Sequence, residues 1–278
     1  MSNKFAAACL ISLFWLAGCT KAQPPVRNST PVVSPNTETV KIQNPGKVIH
    51  VLVALCDNEN QGIVPVPAFL GNGEDTVKNL YWGAAFGVKT FFSRSTNWQK
   101  LGEIENPKEN VLERIIFKHK TQNVYLVADA YRGSKMRETI DDFFAAVAGA
   151  RRETVTAGGV TLQILGTANL VAFVGHNGLM DFKLENQPAK KDDDARDAVV
   201  LACASRNYFS APLKKTSAAP LLWTSNLMAP EAYILHDALE GWTRGESGEQ
   251  VRTRAAAAYA KYQKISVNAA RNLLVTGW

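Results

Sequence analysis

Residues 48–55 form a nearly continuous apolar run, Val48-Ile49-His50-Val51-Leu52-Val53-Ala54-Leu55. A run of this length, rich in β-branched residues, is typical of a strand that is buried on both faces of a sheet. The segments 123–130, 170–174, 198–202 and 221–224 have the same β-type character. They predict further strands of the same buried sheet.

Segments with helical spacing alternate with these strands. Apolar residues recur at helical intervals over 80–92 and 140–147, a helix is expected over 230–244, and one apolar stripe over 251–273 predicts a long final helix. Residues 153–165 are expected to form a small hairpin around a Gly-Gly pair. This alternation predicts an α/β fold with a mostly parallel sheet flanked by helices.

The composition is that of a globular chain. Of 278 residues, 46% are hydrophobic and 20% are charged, which excludes disorder and coiled coil for most of the sequence. Four cysteines are too few for a disulfide scaffold at this length. The formal net charge of +6 is concentrated in basic residues near the C-terminus, interpreted as solvated helix faces, and no nucleic-acid partner is expected.

The N-terminus has the organisation of a bacterial export signal. Lys4 precedes an apolar core from Phe5 to Trp15, and Leu16-Ala17-Gly18-Cys19 follows. The last four residues resemble the lipobox of bacterial lipoproteins. The resemblance implies a signal peptide over 1–18, cleavage before Cys19, and attachment of acyl chains such as palmitate to that cysteine. A plain secretory signal is the alternative.

The same resemblance implies a location. The lipid on Cys19 would hold the protein at a membrane of the cell envelope. Thr20 stands where an inner-membrane retention signal would usually have Asp. The expectation is therefore an outer-membrane anchor, facing the periplasm or the surface, if the cell is Gram-negative.

Residues 19–46 are rich in proline and contain no aromatic residue. This composition predicts an extended tether between the lipid and a folded domain. Residues 47–278 show no internal repeat and are expected to form a single α/β domain.

Several common catalytic signatures are missing from the sequence. There is no GxGxxG, Walker A, HExxH, GxSxG or CxxC motif. His50, His119 and His236 show no ligand spacing and are interpreted as structural. We therefore expect neither a metal nor a cofactor.

One pair of strand ends carries groups suited to catalysis. The strand 170–174 leads into Gly175-His176-Asn177-Gly178, and the strand 198–202 leads into Cys203. Ligands of open parallel sheets bind beyond the carboxyl ends of the strands. If these strands are neighbours, the imidazole would stabilise a nucleophilic thiolate, and the N–H groups of Gly178 and Cys203 would be candidate oxyanion donors.

This order, a strand ending in His and then a strand ending in Ala-Cys, resembles the caspase–legumain–gingipain group of cysteine peptidases. The matching residues are Val174-Gly175-His176-Asn177-Gly178 and Leu201-Ala202-Cys203. The resemblance implies a caspase-like three-layer sandwich, with His176 as base, Cys203 as nucleophile and a peptide or protein as substrate. Asn177 occupies the position where that group usually has Gly.

Acidic residues near the strand ends suggest a substrate pocket. Asp57 follows the first strand and Asp129 lies near the end of the second. By analogy with the Arg- and Lys-specific relatives, these carboxylates would select a basic side chain. The alternative is that they are turn carboxylates or helix caps.

Two alternatives compete with catalysis. Cys56 follows the first strand, and a structural disulfide between Cys56 and Cys203 would remove the nucleophile. Independently of that, the domain could be a non-enzymatic surface lipoprotein that uses a caspase-like fold as a binding or scaffolding module.

Overall fold

Strands and helices alternate along the computed structural model, which describes residues 43–278, all within one compact unit. The strands are β1 (Lys47–Ala54), β2 (Trp98–Lys108), β3 (Val111–His119), β4 (Val124–Tyr131), β5 (Arg152–Ala157), β6 (Val160–Leu165), β7 (Leu170–Val174), β8 (Arg196–Leu201), β9 (Ala218–Thr224) and β10 (Leu274–Val275). The helices are α1 (Val88–Arg94), α2 (Met136–Val147), α3 (Ser205–Leu213), α4 (Ala232–Thr243), α5 (Gly248–Gln263) and α6 (Val267–Leu273).

Eight strands form one sheet in the order β10-β9-β8-β7-β1-β4-β3-β2, and β5 pairs with β6 in a separate hairpin. The central five strands, from β9 to β4, are mutually parallel. Strands β3 and β2 extend one edge in antiparallel fashion, and β10 does so at the other. The predicted α/β fold with a mostly parallel sheet is confirmed.

Alternate residues of each strand point to opposite sides of the sheet. Both sets are buried beneath other elements, so both faces of the sheet are covered. From β1, Ile49, Val51 and Val53 belong to the core beneath α1, α4 and α5. Val48 and Leu52 belong to the core beneath α2, α3 and the β5–β6 hairpin. The molecule is therefore a three-layer sandwich.

Most predicted elements are present with small shifts of their bounds. The hairpin expected over 153–165 is β5–β6, and the predicted strands 170–174 and 198–202 are β7 and β8. In the segment predicted to be helical over 80–92, only α1 at its end is an α-helix, and turns precede it. The long β2–β3 hairpin was not predicted.

The predicted final helix over 251–273 is two helices. Helix α5 ends at Gln263, and the capping residue Lys264 has a left-handed conformation with φ 55° and donates its N–H to the carbonyl of Ala260. Helix α6 begins after Ser266, whose side chain accepts a hydrogen bond from the N–H of Ala269. Lys264 and Ser266 therefore mark a turn that the apolar stripe does not reveal.

The predicted signal peptide 1–18, Cys19 and all but the last residues of the tether 19–46 lie outside the described residues. Within 43–278, every helix is too short or too polar to span a bilayer.

Candidate active site

The register of the sheet places His176 and Cys203 at the same edge. Val174 of β7 pairs with Leu201 of β8, and each candidate residue lies two positions beyond its member of this pair. The two loops are tied together, because the side-chain amide of Asn177 donates a 2.6 Å hydrogen bond to the carbonyl of Cys203. The predicted juxtaposition follows from neighbouring parallel strands.

Gly175 makes the turn that leads to His176. Its φ of 151° lies in a region that side chains disfavour, and a Cβ there would lie 2.9 Å from the carbonyl oxygen of Ala54 on β1. The Gly175 N–H donates to the carbonyl of Leu201. Close approach to β1 on one side and β8 on the other therefore requires glycine at this position.

A carboxylate orients His176, whose imidazole is only 7% exposed. Nε2 of His176 lies 2.7 Å from Oδ2 of Asp181, and that oxygen also accepts a 3.2 Å hydrogen bond from the N–H of Gly62. A carboxylate beside Nε2 favours the tautomer that carries its proton on Nε2. Nδ1 is then left as the atom that can accept a proton.

The thiol of Cys203 is half-buried and held by the backbone of one residue. Its Sγ lies 3.4 Å from the N–H nitrogen and 3.5 Å from the carbonyl oxygen of Met228. Tyr259 of α5 also lies near the thiol, without a hydrogen bond to it. Burial raises the pKa of the Tyr259 hydroxyl, and the nearby Cys203 adds to that rise. The thiol therefore lies between the β9–α4 loop and helix α5.

The backbone directly after Cys203 is strained. Ala204 has φ 46° and ψ 34°, a left-handed conformation that costs energy for a residue with a Cβ. Helix α3 starts at the next residue, so its N-terminus, which favours negative charge, faces back toward Cys203. A cysteine on a strained strand-to-helix turn is placed as nucleophiles are in many hydrolases.

His176 and Cys203 are neighbours without a direct bond. Among residues 43–278, no hydrogen bond joins the imidazole to the thiol, which instead contacts Met228. Proton transfer to the imidazole requires the thiol to leave its hydrogen bond to the Met228 carbonyl. Catalytic contacts that tighten only with substrate bound are common.

The expected oxyanion role of Gly178 does not agree with the structure. Its N–H donates to the carbonyl of His176 at 3.1 Å, and a Cβ on Gly178 would lie 2.8 Å from the ring of Phe182. Gly178 is thus packed inside the loop. Within the described part of the chain, the N–H groups of Asn177 and Cys203 have no hydrogen-bond partner, but Asn177 is completely buried, so the N–H of half-buried Cys203 is the remaining candidate donor.

Asp57, which was expected to bind a basic side chain of the substrate, instead stabilises its own loop. It is buried, and Oδ1 accepts hydrogen bonds from the N–H groups of Glu59 and Asn60 at 2.9 and 3.2 Å. Its Oδ2 accepts from the side-chain amide of Asn60. This is an Asx turn, the alternative considered from the sequence.

Asp129 is not placed to bind a substrate side chain. It lies two residues before the end of β4, and its side chain is completely buried. Arg114 donates to both carboxylate oxygens at 2.6 and 2.7 Å, and Nε2 of His50 is 3.1 Å from Oδ2. Burial alone would raise the pKa of Asp129, but these hydrogen bonds outweigh it and hold that pKa well below its usual range.

Cys56 and Cys203 are both free thiols. Strand β7 lies between β1 and β8, so the chains that lead to the two cysteines are about 10 Å apart at the sheet, beyond disulfide reach. Burial raises the pKa of the Cys56 thiol to about 11, and a hydrogen bond from Tyr81 acts against that rise. The structure does not contain the disulfide that was considered as an alternative.

Sequence reasoning missed three residues around the site. Asp181 follows His176 by five positions, across a single 3-10 turn, Gly178–Met180. Asn79 is fully buried and bonds the N–H and the carbonyl of Cys56, while Tyr81 lies beside that cysteine. The sequence could have indicated Asp181 as a partner of His176, because it follows a glycine-containing turn. The loop that brings Asn79 and Tyr81 back to the sheet has no sequence pattern that indicates their position.

Among the described residues, no group of three or more His, Cys, Asp or Glu side chains is arranged to hold a metal ion. His119 and His236 belong to the core on the other face of the sheet from Asp129. Their Nε2 atoms lie 3.4 and 3.9 Å, respectively, from Oε1 of Glu240. These contacts agree with their interpretation as structural residues.

Comparisons with protein families, with curated proteins and with solved structures find no significant match to this chain. The chemistry at the carboxyl edge of the sheet is therefore the basis for a functional assignment.

Proposed function

We propose that the domain is a thiol-dependent amide hydrolase of the caspase-like type, with a peptide or protein as substrate. One observation carries the proposal: the Asp181 carboxylate orients His176 at the edge where Cys203 emerges from the neighbouring strand. A nucleophile, a base and a group that orients the base are the parts of a catalytic triad.

The reaction that these groups support begins with proton transfer. The Cys203 thiol gives its proton to Nδ1 of His176, and the thiolate attacks the carbonyl carbon of the substrate amide. The N–H group of Cys203 stabilises the resulting oxyanion. The imidazolium then protonates the leaving amine as the C–N bond breaks, and a thioester remains on Cys203.

Water completes the cycle. His176 removes a proton from a water molecule, whose oxygen attacks the thioester carbonyl. The C–S bond breaks, Cys203 recovers its proton from the imidazolium, and a carboxylic acid is released. The hydrogen bond to Asp181 keeps a proton on Nε2, so that Nδ1 stays available for these transfers throughout.

A second candidate function is a non-enzymatic binding or scaffolding module. It is favoured by the contacts of Cys203, whose Sγ faces the Met228 backbone and makes no hydrogen bond with His176. In that function the His176–Asp181 pair would stabilise the loop that follows β7 and would carry no chemistry.

Thiol reactivity distinguishes the two functions. Iodoacetamide labelling at mildly acidic pH, mapped by mass spectrometry, is expected to modify Cys203 rapidly in the wild type and slowly in His176→Ala. Cys56 serves as the internal control, because it is buried. His236→Ala is the matched histidine control and is expected to leave the rate unchanged.

Hydrolysis of a peptide library supplies the direct test. Cys203→Ala is expected to abolish cleavage while its circular dichroism stays that of the wild type. A Cys203→Ala protein that keeps full activity would end the proposal. A Cys203 that is inert to iodoacetamide in the folded wild type would favour the binding module.

We also propose that the protein is anchored in the cell envelope through lipid on Cys19, in the outer membrane if the cell is Gram-negative. The support is the lipobox-like sequence Leu16-Ala17-Gly18-Cys19. Mass spectrometry of the mature N-terminus is expected to find an acylated cysteine. A Cys19→Ala variant that is still processed and membrane-bound would contradict the proposal.

A further inference from the structure

A second set of hydrogen-bonded groups with catalytic chemistry lies away from Cys203. Oγ of Ser95 is 2.9 Å from Nε2 of His236, and Nδ1 of the same imidazole is 2.8 Å from Oδ1 of Asp237. Ser95 directly follows helix α1, and the other two residues are neighbours on helix α4. The contact of His236 with Glu240 does not account for this order of hydroxyl, imidazole and carboxylate.

The hydrogen bonds assign a proton to each of these groups. A carboxylate beside Nδ1 favours the tautomer that carries its proton on Nδ1, so Nε2 of His236 accepts from the Ser95 hydroxyl. Oγ of Ser95 also accepts a 3.2 Å hydrogen bond from the N–H of Asn97, which leaves its own proton for the imidazole. This is the arrangement of a nucleophile–base–carboxylate triad, which is recognised by geometry and not by sequence order.

The imidazole is held from the core and the group is accessible from the other side. Phe91 and Phe92 both pack edge-on against the His236 ring, with ring centroids 5.4 Å apart in each case. Ser95 is half-buried, and the side chain of Asp237 is 45% exposed. A small molecule can therefore approach the hydroxyl while the base keeps its orientation.

The residue after Ser95 supplies a donor for an oxyanion. Thr96 is exposed, and within residues 43–278 its N–H has no hydrogen-bond partner. In hydrolases with a serine nucleophile, the N–H of the residue after that serine is a common part of the oxyanion hole.

This group and Cys203 lie at opposite edges of the sheet. The carbonyl of Asn97 accepts a hydrogen bond from the N–H of Lys120, in the turn between β3 and β4. The parallel strand β4 begins after that turn, whereas Cys203 follows the end of the parallel strand β8. The two sites are therefore separate, one at the amino edge and one at the carboxyl edge.

We propose that Ser95, His236 and Asp237 form a second catalytic site, which hydrolyses uncharged carboxylic esters with a small apolar acyl group. The carboxylates of Asp237 and Glu240 beside the imidazole disfavour an anionic substrate. The half-buried ring of Phe91, in contact with His236, offers an apolar surface for the acyl group. An ester suits a single oxyanion donor, because an alcohol is expelled more readily than an amine.

The reaction passes through an acyl-enzyme. The Ser95 hydroxyl gives its proton to Nε2 of His236 as Oγ attacks the ester carbonyl carbon, and the N–H of Thr96 binds the oxyanion. The imidazolium protonates the leaving alcohol as the C–O bond breaks, and the acyl group stays on Oγ. His236 then removes a proton from water, whose oxygen attacks the acyl carbon. The acid is released, and Oγ recovers its proton from the imidazolium.

The first test uses an uncharged alkyl fluorophosphonate, whose phosphorus is attacked by an activated serine Oγ with loss of fluoride. Peptide mapping by mass spectrometry is expected to find the adduct on Ser95. Ser93 is the internal control, because it is exposed on the same helix and, within residues 43–278, its side chain makes no hydrogen bond. Equal modification of Ser93 and Ser95, or of neither, would overturn the proposal.

Two variants test the roles of the other groups. His236→Gln can still accept a hydrogen bond but cannot take a proton, and it is expected to slow modification of Ser95 about 10²-fold. Asp237→Asn, at a largely accessible position, is expected to fold normally and to slow modification at least about tenfold through loss of the Nδ1–H tautomer. Wild-type rates in folded Asp237→Asn would show that these contacts only tie α1 to α4.

Turnover of p-nitrophenyl butyrate tests the ester as substrate. The steady-state rate is expected to fall in Ser95→Ala and in proportion to the Ser95 adduct after fluorophosphonate treatment. Hydrolysis that survives Ser95→Ala and is blocked by iodoacetamide would belong to Cys203 and would overturn this proposal alone. Because the sites are separate, loss of Cys203 reactivity would contradict the amide hydrolase and leave the ester site intact.

Discussion

Two histidine–carboxylate pairs in this chain have the same chemistry and opposite surroundings. His176 and Asp181 lie at the edge of the sheet, next to a half-buried thiol. His50 and Asp129 are both completely buried between the sheet and its covering layer, with Arg114 as a further partner. Burial lowers the pKa of His50 against the opposing effect of Asp129, so His50 is neutral in the folded protein near pH 7.

The buried pair predicts how stability depends on pH. Below about pH 6.5 the unfolded chain protonates His50 while the folded chain does not, so the unfolded state binds more protons. Stability therefore falls as pH decreases below about 6.5, by up to about 1.4 kcal/mol per pH unit from this group. His50→Gln keeps a donor for Asp129 without titrating, and we expect a shallower slope in urea denaturation between pH 6.5 and 5.

The matched variant is His236→Gln, which removes a half-buried histidine from the other core. It is expected to retain most of the wild-type slope. Protonation of Asp129 does not interfere, because its lowered pKa places that loss of stability below about pH 4. Equal slopes in the wild type and His50→Gln would refute the assignment.

At the edge of the sheet, Asp181 is expected to act as a positioning residue for His176. Asp181→Asn removes the carboxylate that favours the Nε2–H tautomer, and we expect kcat for peptide hydrolysis to fall about 10²-fold with a much smaller change in KM. Asp181→Glu is expected to restore part of kcat. An Asp181→Asn enzyme with wild-type kcat would show that the pair only stabilises the loop.

At the scale of single elements, the two last helices show why an apolar stripe predicts burial better than it predicts boundaries. The stripe over 251–273 continues across the turn at Lys264, because both helices pack their apolar residues toward the same side of the molecule. The break depends on one left-handed residue and on the Ser266 cap. A lysine gives no sequence signal for a left-handed conformation.

The turn at Lys264 makes a prediction about stability. Lys264→Gly removes the cost of placing a Cβ in the left-handed region, offset in part by the greater freedom of glycine in the unfolded chain, and should stabilise the fold by about 0.5–1 kcal/mol. Lys264→Ala is the control, because alanine keeps the Cβ. Chemical denaturation measures both. Equal stability of the glycine and alanine variants would show that Lys264 bears no conformational strain.

The β2–β3 hairpin was missed because β2 does not look like a buried strand. It is an edge strand whose side chains are largely exposed, and it carries Lys100, Glu103 and Glu105. Its place is fixed by pairing with β3 and by the ion pair between Lys89 of α1 and Glu103. Long-range contacts of this kind leave no periodicity in the sequence of the strand itself.

For the whole molecule, the predictable part of the fold is its parallel centre. The parallel strands are predominantly apolar, so their type and their place in a covered sheet follow from their own residues. The strand ends at His176 and Cys203 were predictable for the same reason. The site is otherwise completed by long loops, which bring Gly62, Asn79 and Met228 to the edge through contacts that no local pattern specifies.

This division between a covered centre and an exposed edge predicts the order of local opening. The strands β1, β4, β7 and β8 are buried along almost their whole length, whereas nearly all residues of β2 and β5 are exposed or half-buried. We expect amides of the four central strands to exchange with solvent only by global unfolding. Amides of β2 and β5 should exchange through local openings, whose free energy is lower than that of global unfolding by more than about 1 kcal/mol.

Native-state hydrogen exchange in increasing urea measures this order. Exchange from the central strands should accelerate with the same denaturant dependence as global unfolding, because their hydrogen bonds break only when both covering layers separate from the sheet. Exchange from β2 and β5 should be faster and nearly independent of urea at low concentration. If β2 proved as protected as β1, the antiparallel edge would belong to the same cooperative unit as the parallel centre, and the candidate site would rest on the whole sheet rather than on its middle strands.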